Sequence, residues 1–282
     1  MRLFRRRRHN TVAFVLSGGG NYGALQVGAL QVLLEADIYP DLLVGTSAGA
    51  LNVAFLATDP TPDGAQRLGE IWCSVHPGDI GTCGNLAALR RLLTNKISIY
   101  NAQPLAHFLE SHIPPGVATF GDLKVRTYTV AARLPDGDMH TFGDSPADRL
   151  LDGMMASAAI APFYPPWPCD GALYMDGGVL SKLPLMVAVE RGATEIYALS
   201  IQDALGSLGK KLGMMEVTSR ALSLVMDQQV EAEKILVRQR RIPLHVTSLD
   251  HNGVPFWNFD RAADLIARGR AAAEATITKR EV

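Results

Sequence analysis

Near the start of the chain, two short β-rich runs each end in a glycine-rich turn that opens directly into a helical pattern. Thr11 to Leu16 leads through Gly18-Gly19-Gly20-Asn21-Tyr22-Gly23 into apolar residues at helical spacing from Gly23 to Ala36. Leu42 to Val44 leads through Gly45-Thr46-Ser47-Ala48-Gly49 into a second helical stretch, Ala48 to Ala57. Short apolar runs keep alternating with helical patterns through most of the length, which predicts an α/β fold around a mostly parallel sheet.

Lys124 to Arg133 and Met139 to Phe142, joined by Pro135-Asp136-Gly137, read as two antiparallel strands around a turn. Ala147 to Ser157 reads as a helix, and Ala172 to Met175 as a short strand before Asp176-Gly177-Gly178. The proline-rich run Ala161 to Pro168 is expected to be irregular. Glu195 to Ile201 is a further strand, and a last helix is expected from about Asn258 to Ile277. Between them a helix is expected from Leu208 to about Arg240, with Leu208, Leu212, Met215, Leu222 and Met226 on one face that reads as core-packing, an adaptable lipid-contacting face of its methionines being the alternative. The segment Val75 to Tyr100 resists assignment and is a candidate cover for a site.

At 282 residues, with 48% hydrophobic and 20% charged content, the chain suits one large core, so residues 11–282 are expected to form a single domain. Its motif-bearing part would run over about 12–200 and a mainly helical part over about 205–282. Residues 1–10 read as a basic, disordered tail; its Arg5 to Arg8 cluster allows peripheral contact with an anionic membrane as the alternative to plain solvation. A net charge of −1 argues against a nucleic-acid partner. Cys73, Cys83 and Cys169 are scattered and read as idle thiols in a reducing, cytoplasmic setting. No apolar run is long enough to span a bilayer, and no His, Cys and carboxylate cluster has metal-ligand spacing, so neither a metal nor another cofactor is expected.

Gly45-Thr46-Ser47-Ala48-Gly49 has the G-x-S-x-G spacing of a nucleophile elbow, in the strand-to-helix setting that motif requires. A serine on so tight a turn needs small neighbours, and the helix N-terminus behind it favours an alkoxide. The Gly18 to Gly23 loop can aim backbone amides at an anion, which is either a dinucleotide pyrophosphate or the oxyanion of acyl transfer. A dinucleotide site wants an acidic residue at the far end of the second strand. Asp41 precedes that strand, and its far end carries Gly45, Thr46 and Ser47, so the oxyanion is the consistent reading. Asp176-Gly177-Gly178, a carboxylate at a strand end, is the candidate base.

In this order, the three sites resemble those of the patatin-like phospholipases. The blocks SGGGNYGALQVGAL, VGTSAGALN, MMASAAIAPFYPP and YMDGGVLSKLPLMVAVERGATEIYALS carry the resemblance, over roughly Val12 to Ser200. It implies a three-layer α/β/α fold, Ser47 as nucleophile, Asp176 as base, Gly18, Gly19 and Gly20 as oxyanion donors, no metal, and lipid acyl esters such as phospholipids or lysophospholipids as substrates. Two positions depart from the family pattern. Asn21-Tyr22 stands where many members have a basic residue, and Lys182 precedes Pro184 where Asn-x-Pro is common. The rivals are an α/β-hydrolase triad completed by His245 or His251 and a catalytically silent lipid-binding module.

Overall fold

The computed structural model describes residues 10–81, 98–202, 214–256 and 258–278. Strands β1 (Val12–Leu16) and β2 (Leu42–Thr46) are apolar on both faces and buried almost throughout, as central strands of a sheet covered on both sides must be. They pair in parallel with Leu16 opposite Gly45, so the two glycine turns leave the sheet side by side. The remaining strands are β3 (Arg126–Leu134), β4 (Met139–Phe142), β5 (Trp167–Cys169), β6 (Ala172–Asp176), β7 (Glu195–Gln202) and β8 (Leu244–Asp250).

The sheet runs β5-β6-β3-β2-β1-β7-β8, with β4 also on β3. From β3 to β8 the neighbours are parallel, and β4, β5 and β6 add antiparallel pairs. On β3, β2 pairs with Arg126 to Val130 and β6 with Ala131 to Leu134, while β4 overlaps both stretches. A strand has two edges, so β4 takes one and β2 and β6 share the other, end to end. Thr46 therefore lies opposite Val130 and Asp176 opposite Ala131, the next residue along.

Helices cover both faces. Phe14, Leu16, Leu43 and Leu199 point into one core with α1 (Gly23–Glu35), α2 (Ala48–Thr58), α3 (Pro62–Ser74), α4 (Ala102–His112), α5 (Leu150–Ser157) and α8 (Ala262–Thr278). Ala13, Val15, Leu42, Val44 and Ile196 point the other way, against α6 (Leu185–Glu190) and α7 (Met214–Gln239). The alternation along each strand splits these two cores, and the result is the expected three-layer α/β/α arrangement. From Gly23 to Leu34 every α1 residue is buried, because α8 closes the side that the sheet leaves open. The two helices touch backbone to backbone. A Cβ on Gly28 would lie 1.9 Å from the Ile266 carbonyl oxygen, and one on Gly269 would lie 1.8 Å from that of Leu25.

Several elements differ from the sequence reading. Strand β3 begins at Arg126 rather than Lys124, and α5 at Leu150 rather than Ala147. The end of the proline-rich run is not irregular: Trp167 and Pro168 enter β5, an edge strand where a missing N–H is tolerated. The expected core face of α7 is also corrected, because Leu222 is 42% exposed and Met226 lies against Gly178 at a cavity. Leu208 and Leu212, Cys83, the Arg5 to Arg8 cluster and most of Val75 to Tyr100 lie outside the described residues.

The α1–α8 contact is directly testable. Gly269→Ala is expected to lower stability by about 2 kcal/mol or more, since the intruding methyl meets backbone that cannot repack. Gly78→Ala, whose added methyl would meet nothing within 4 Å, is the control and should leave the thermal unfolding midpoint nearly in place.

Candidate active site

The two turns that leave β1 and β2 meet at the C-terminal edge of the parallel strands. Ser47 sits between β2 and α2 with φ +56 and ψ −125, a strained conformation for a residue with a side chain. Its surroundings over-determine it. The Ser47 amide donates to Ser157 Oγ at 2.9 Å, and Ser157 Oγ in turn donates to the Val130 carbonyl at 2.6 Å. Thr46 Oγ1 donates to the Ser181 carbonyl at 2.9 Å. The flanking glycines are steric necessities: a Cβ on Gly45 would fall 2.3 Å from the Gly49 oxygen, and one on Gly49 2.5 Å from the Leu16 oxygen.

The glycine loop after β1 packs against the elbow, with a Cβ built on Gly18 only 3.2 Å from that of Ser47. Buried polar side chains hold it from below. Trp72 Nε1 donates to Asn52 Oδ1, Asn52 Nδ2 to Gln26 Oε1, and Gln26 Nε2 to the Ser17 carbonyl, at 2.7 to 2.9 Å. Asn21 and Tyr22 serve as ties: Asn21 Nδ2 donates to the Pro255 and Asn258 carbonyls, and Tyr22 hydroxyl to that of Val254.

One expected donor is committed elsewhere. The Gly18 amide donates to the Lys182 carbonyl at 2.9 Å, so it is not aimed at a ligand. The amides of Gly19 and Gly20 have no hydrogen-bond partner among the described residues, and neither has that of Ala48, the first residue of α2.

Asp176 ends β6 and is buried. Its Oδ1 accepts from the Gly178 amide at 2.8 Å, and its own amide donates to the Ala159 carbonyl at 3.1 Å. Among the described residues, Oδ2 closes no hydrogen bond of normal geometry, and the Ser47 hydroxyl is the side chain that acts on the carboxyl. Burial pushes the Asp176 pKa up to about 6, against the lowering effects of the Ser47 hydroxyl and the Gly178 amide. Gly177 is pinned, since a Cβ there would lie 2.3 Å from the Val130 oxygen; Gly178 faces Met226, with a Cβ 2.8 Å from its methyl.

Ser47 and Asp176 open into a cavity of about 670 Å³ whose walls are mainly apolar, among them Leu51, Phe55, Trp72, Phe108, Phe163 and Tyr164. Val75 and Ile80 also line it, so the described start of Val75 to Tyr100 borders the site. The two candidate histidines part company. His245 begins β8 and its Nε2 contacts Glu195 Oε1 at 3.0 Å, at the N-terminal edge of the parallel strands, opposite to the Ser47 edge. His251 follows β8 and stacks on Tyr22 with ring centroids 4.1 Å apart, inside the cavity wall.

The sequence pattern described as "Patatin-like phospholipase" matches residues 14–189. The chain belongs to the patatin-like phospholipase family. Among its relatives, patatin-like phospholipase domain-containing protein 7 of Mus musculus is 28% identical over 204 residues, which cover 71% of this chain and 14% of that protein. Lysophospholipase NTE1 of Saccharomyces cerevisiae is 26% identical over 213 residues, covering 72% of this chain and 12% of that protein. The chain thus spans a small part of these curated relatives' length. VipD from Legionella pneumophila shares the fold, with a TM-score of 0.53 at 14% identity over 96% of this chain and 67% of that one.

Within this patatin-like domain, the residues that motif reading passes over are Ser157, Asn52 and Gln26. Their signal is a polar residue inside an otherwise apolar stretch, as in MMASAAIA, where a structural hydrogen bond must be waiting. Among the described residues, no group of three or more His, Cys, Asp or Glu side chains is placed to hold a metal ion. No described helix is long and apolar enough to cross a membrane.

The raised carboxyl has a stability consequence with a definite sign. A carboxyl whose folded pKa is above its unfolded value stabilises the fold while neutral, and that contribution is lost as pH rises through the folded value. From 3.8 to about 6, the loss amounts to about 3 kcal/mol at most. Asp176→Asn escapes it, so the variant's stability relative to the parent should rise by up to that amount between pH ~4 and pH ~7.5. Urea unfolding of both proteins at the two pH values checks this, and a constant difference would show that the carboxyl is not desolvated.

Proposed function

We propose that the chain is a serine acyl hydrolase that cleaves the carboxylic ester bonds of lipids through a Ser47–Asp176 dyad and an acyl-enzyme intermediate. The observation that supports it most is that the Ser47 hydroxyl is the side chain that acts on the buried Asp176 carboxyl at the mouth of one cavity, with no imidazole among the groups that shift its pKa. Family membership and the lysophospholipase relative point to the same chemistry.

In this reading Asp176 takes the Ser47 proton as Oγ attacks the ester carbonyl. Oδ1 is engaged by the Gly178 amide, which leaves Oδ2 for the proton. A base with a pKa near 6 is ionised at neutral pH and takes a proton more readily than an ordinary carboxylate. The oxyanion is received by the Gly19 and Gly20 amides, with Ala48 as a third donor in place of Gly18. The alcohol leaves with the proton held by Asp176, and a water molecule then enters to release the acid by the same steps in reverse. The apolar cavity holds the acyl chain and excludes water from it, which suits a lipid better than a small polar ester.

The triad alternative now rests on His251 alone. With a chromogenic medium-chain ester as substrate, kcat/KM of the parent should fall tenfold per pH unit below pH ~6, where the base becomes protonated. Asp176→Asn should lose at least ~100-fold, and His251→Gln less than about tenfold, through the lost ring stack on Tyr22. A collapse of activity in His251→Gln, with circular dichroism showing a folded protein, would replace the dyad by a triad.

A further inference from the structure

Apart from the tyrosines, the charged or titratable side chains among the described residues that line the cavity are Asp176, Lys182, His251 and Arg220. Three have work already. Asp176 faces Ser47, Lys182 Nζ is paired with Asp227 Oδ1 at 2.9 Å, and His251 stacks on Tyr22. Arg220 is half-buried on α7 and makes no ion pair or hydrogen bond with any described residue. A guanidinium against largely apolar walls gives up part of its hydration, and no counter-charge among the described residues returns that loss. Its planar fork of N–H donors matches phosphate oxygens in pairs.

The position along α7 sets what such an anion would belong to. Met226, on the same helix, packs against Gly178 beside Asp176. Arg220 is six residues nearer the N-terminus, roughly 9 Å along the axis at the helical rise. Both residues line the cavity into which Ser47 opens, so an anion held at Arg220 and an ester carbonyl at Ser47 can belong to one molecule. The rest of the helix is held in place independently. Lys182 pairs with Asp227, and Glu233 accepts from the Ser181 hydroxyl and, at 2.8 Å, from the Met186 amide.

Resting on the acyl-hydrolase reading, we infer that Arg220 binds the phosphate of the substrate's head group, so that the preferred substrates are phosphate-bearing lipid esters rather than neutral glycerides. The phosphate bridges to Arg220 while the acyl chain occupies the apolar cavity, and this positions the ester carbonyl between Ser47 and the glycine loop.

Two measurements test the inference, the first of them separately from catalysis. Binding is read first, on Ser47→Ala, by intrinsic tryptophan fluorescence, with Trp72 in the cavity wall as reporter. Dodecyl phosphate should bind at least tenfold more weakly when Arg220→Gln is added, a loss of the size expected for a charge-assisted contact, whereas dodecanol should shift by less than about threefold. Inorganic phosphate alone should not compete at millimolar levels, because it lacks the chain that the cavity holds. Turnover is read second, with palmitoyl lysophosphatidylglycerol and monopalmitoylglycerol in the same detergent micelles. The ratio of kcat/KM for the phosphate ester over the neutral ester should fall at least tenfold in Arg220→Gln and recover in part in Arg220→Lys, which keeps the charge without the fork. An unchanged ratio and equal weakening of both dodecyl ligands would overturn the inference. Absence of turnover on every ester by the parent protein would instead overturn the acyl-hydrolase reading, and the binding arm would still decide the role of Arg220.

Discussion

Strand β3 is the constraint on which the site depends. One edge of it receives β2 up to Thr46 and then β6 from Asp176 onward, so residues 130 positions apart in sequence meet across a single step of one strand. The Val130 carbonyl at that step accepts from Ser157 Oγ, and Ser157 Oγ accepts from the Ser47 amide. The same carbonyl leaves no room for a side chain on Gly177. The Ser47 turn and the Asp176 carboxylate are thus set against one backbone group in the buried middle of a sheet. A rigid element of this kind positions reacting groups better than a loop can.

Order at the site is maintained by polar groups that satisfy one another away from water. The chain from Trp72 through Asn52 and Gln26 to the Ser17 carbonyl links α3, α2 and α1 to the glycine loop. Each member is buried, so loss of one would strand the next without a partner. Asp176 is treated differently. It receives one amide and is otherwise desolvated, which raises its pKa where a fuller set of donors would have lowered it. An under-solvated carboxylate is a liability for stability and an asset for a base.

The helix α7 has two unlike sides. Met226 and Leu222 border the cavity, while Leu224, Val225, Ile235 and Leu236 are 45 to 56% exposed. Its fixed points are polar: Lys182 to Asp227, and Glu233 to the start of α6, with burial pushing the Glu233 carboxyl up. Both anchors join α7 to the segment that follows Asp-Gly-Gly. The lysine at position 182, a departure from the family pattern, therefore has two structural roles, since its carbonyl also takes the Gly18 amide.

Much of this was legible in the residues alone. Alternating apolar runs and glycine turns are local signals, so the order of strands and helices, the elbow at Ser47, the glycine loop and the carboxylate before two glycines could all be read without coordinates. The reading went astray where a property depends on partners distant in sequence. Spacing showed Gly18 as an equal of Gly19 and Gly20, yet Lys182 takes its amide. Periodicity placed Leu222 and Met226 in a core, yet both border the cavity and Leu222 is 42% exposed. His245 and His251 looked equivalent, yet the parallel register carries the first to the far edge of the sheet. Sequence determined which groups can do chemistry, because residue type and local turn geometry are short-range. Only the tertiary structure decided which of them are aimed at one another, because hydrogen bonding and burial are settled by whatever the fold brings alongside.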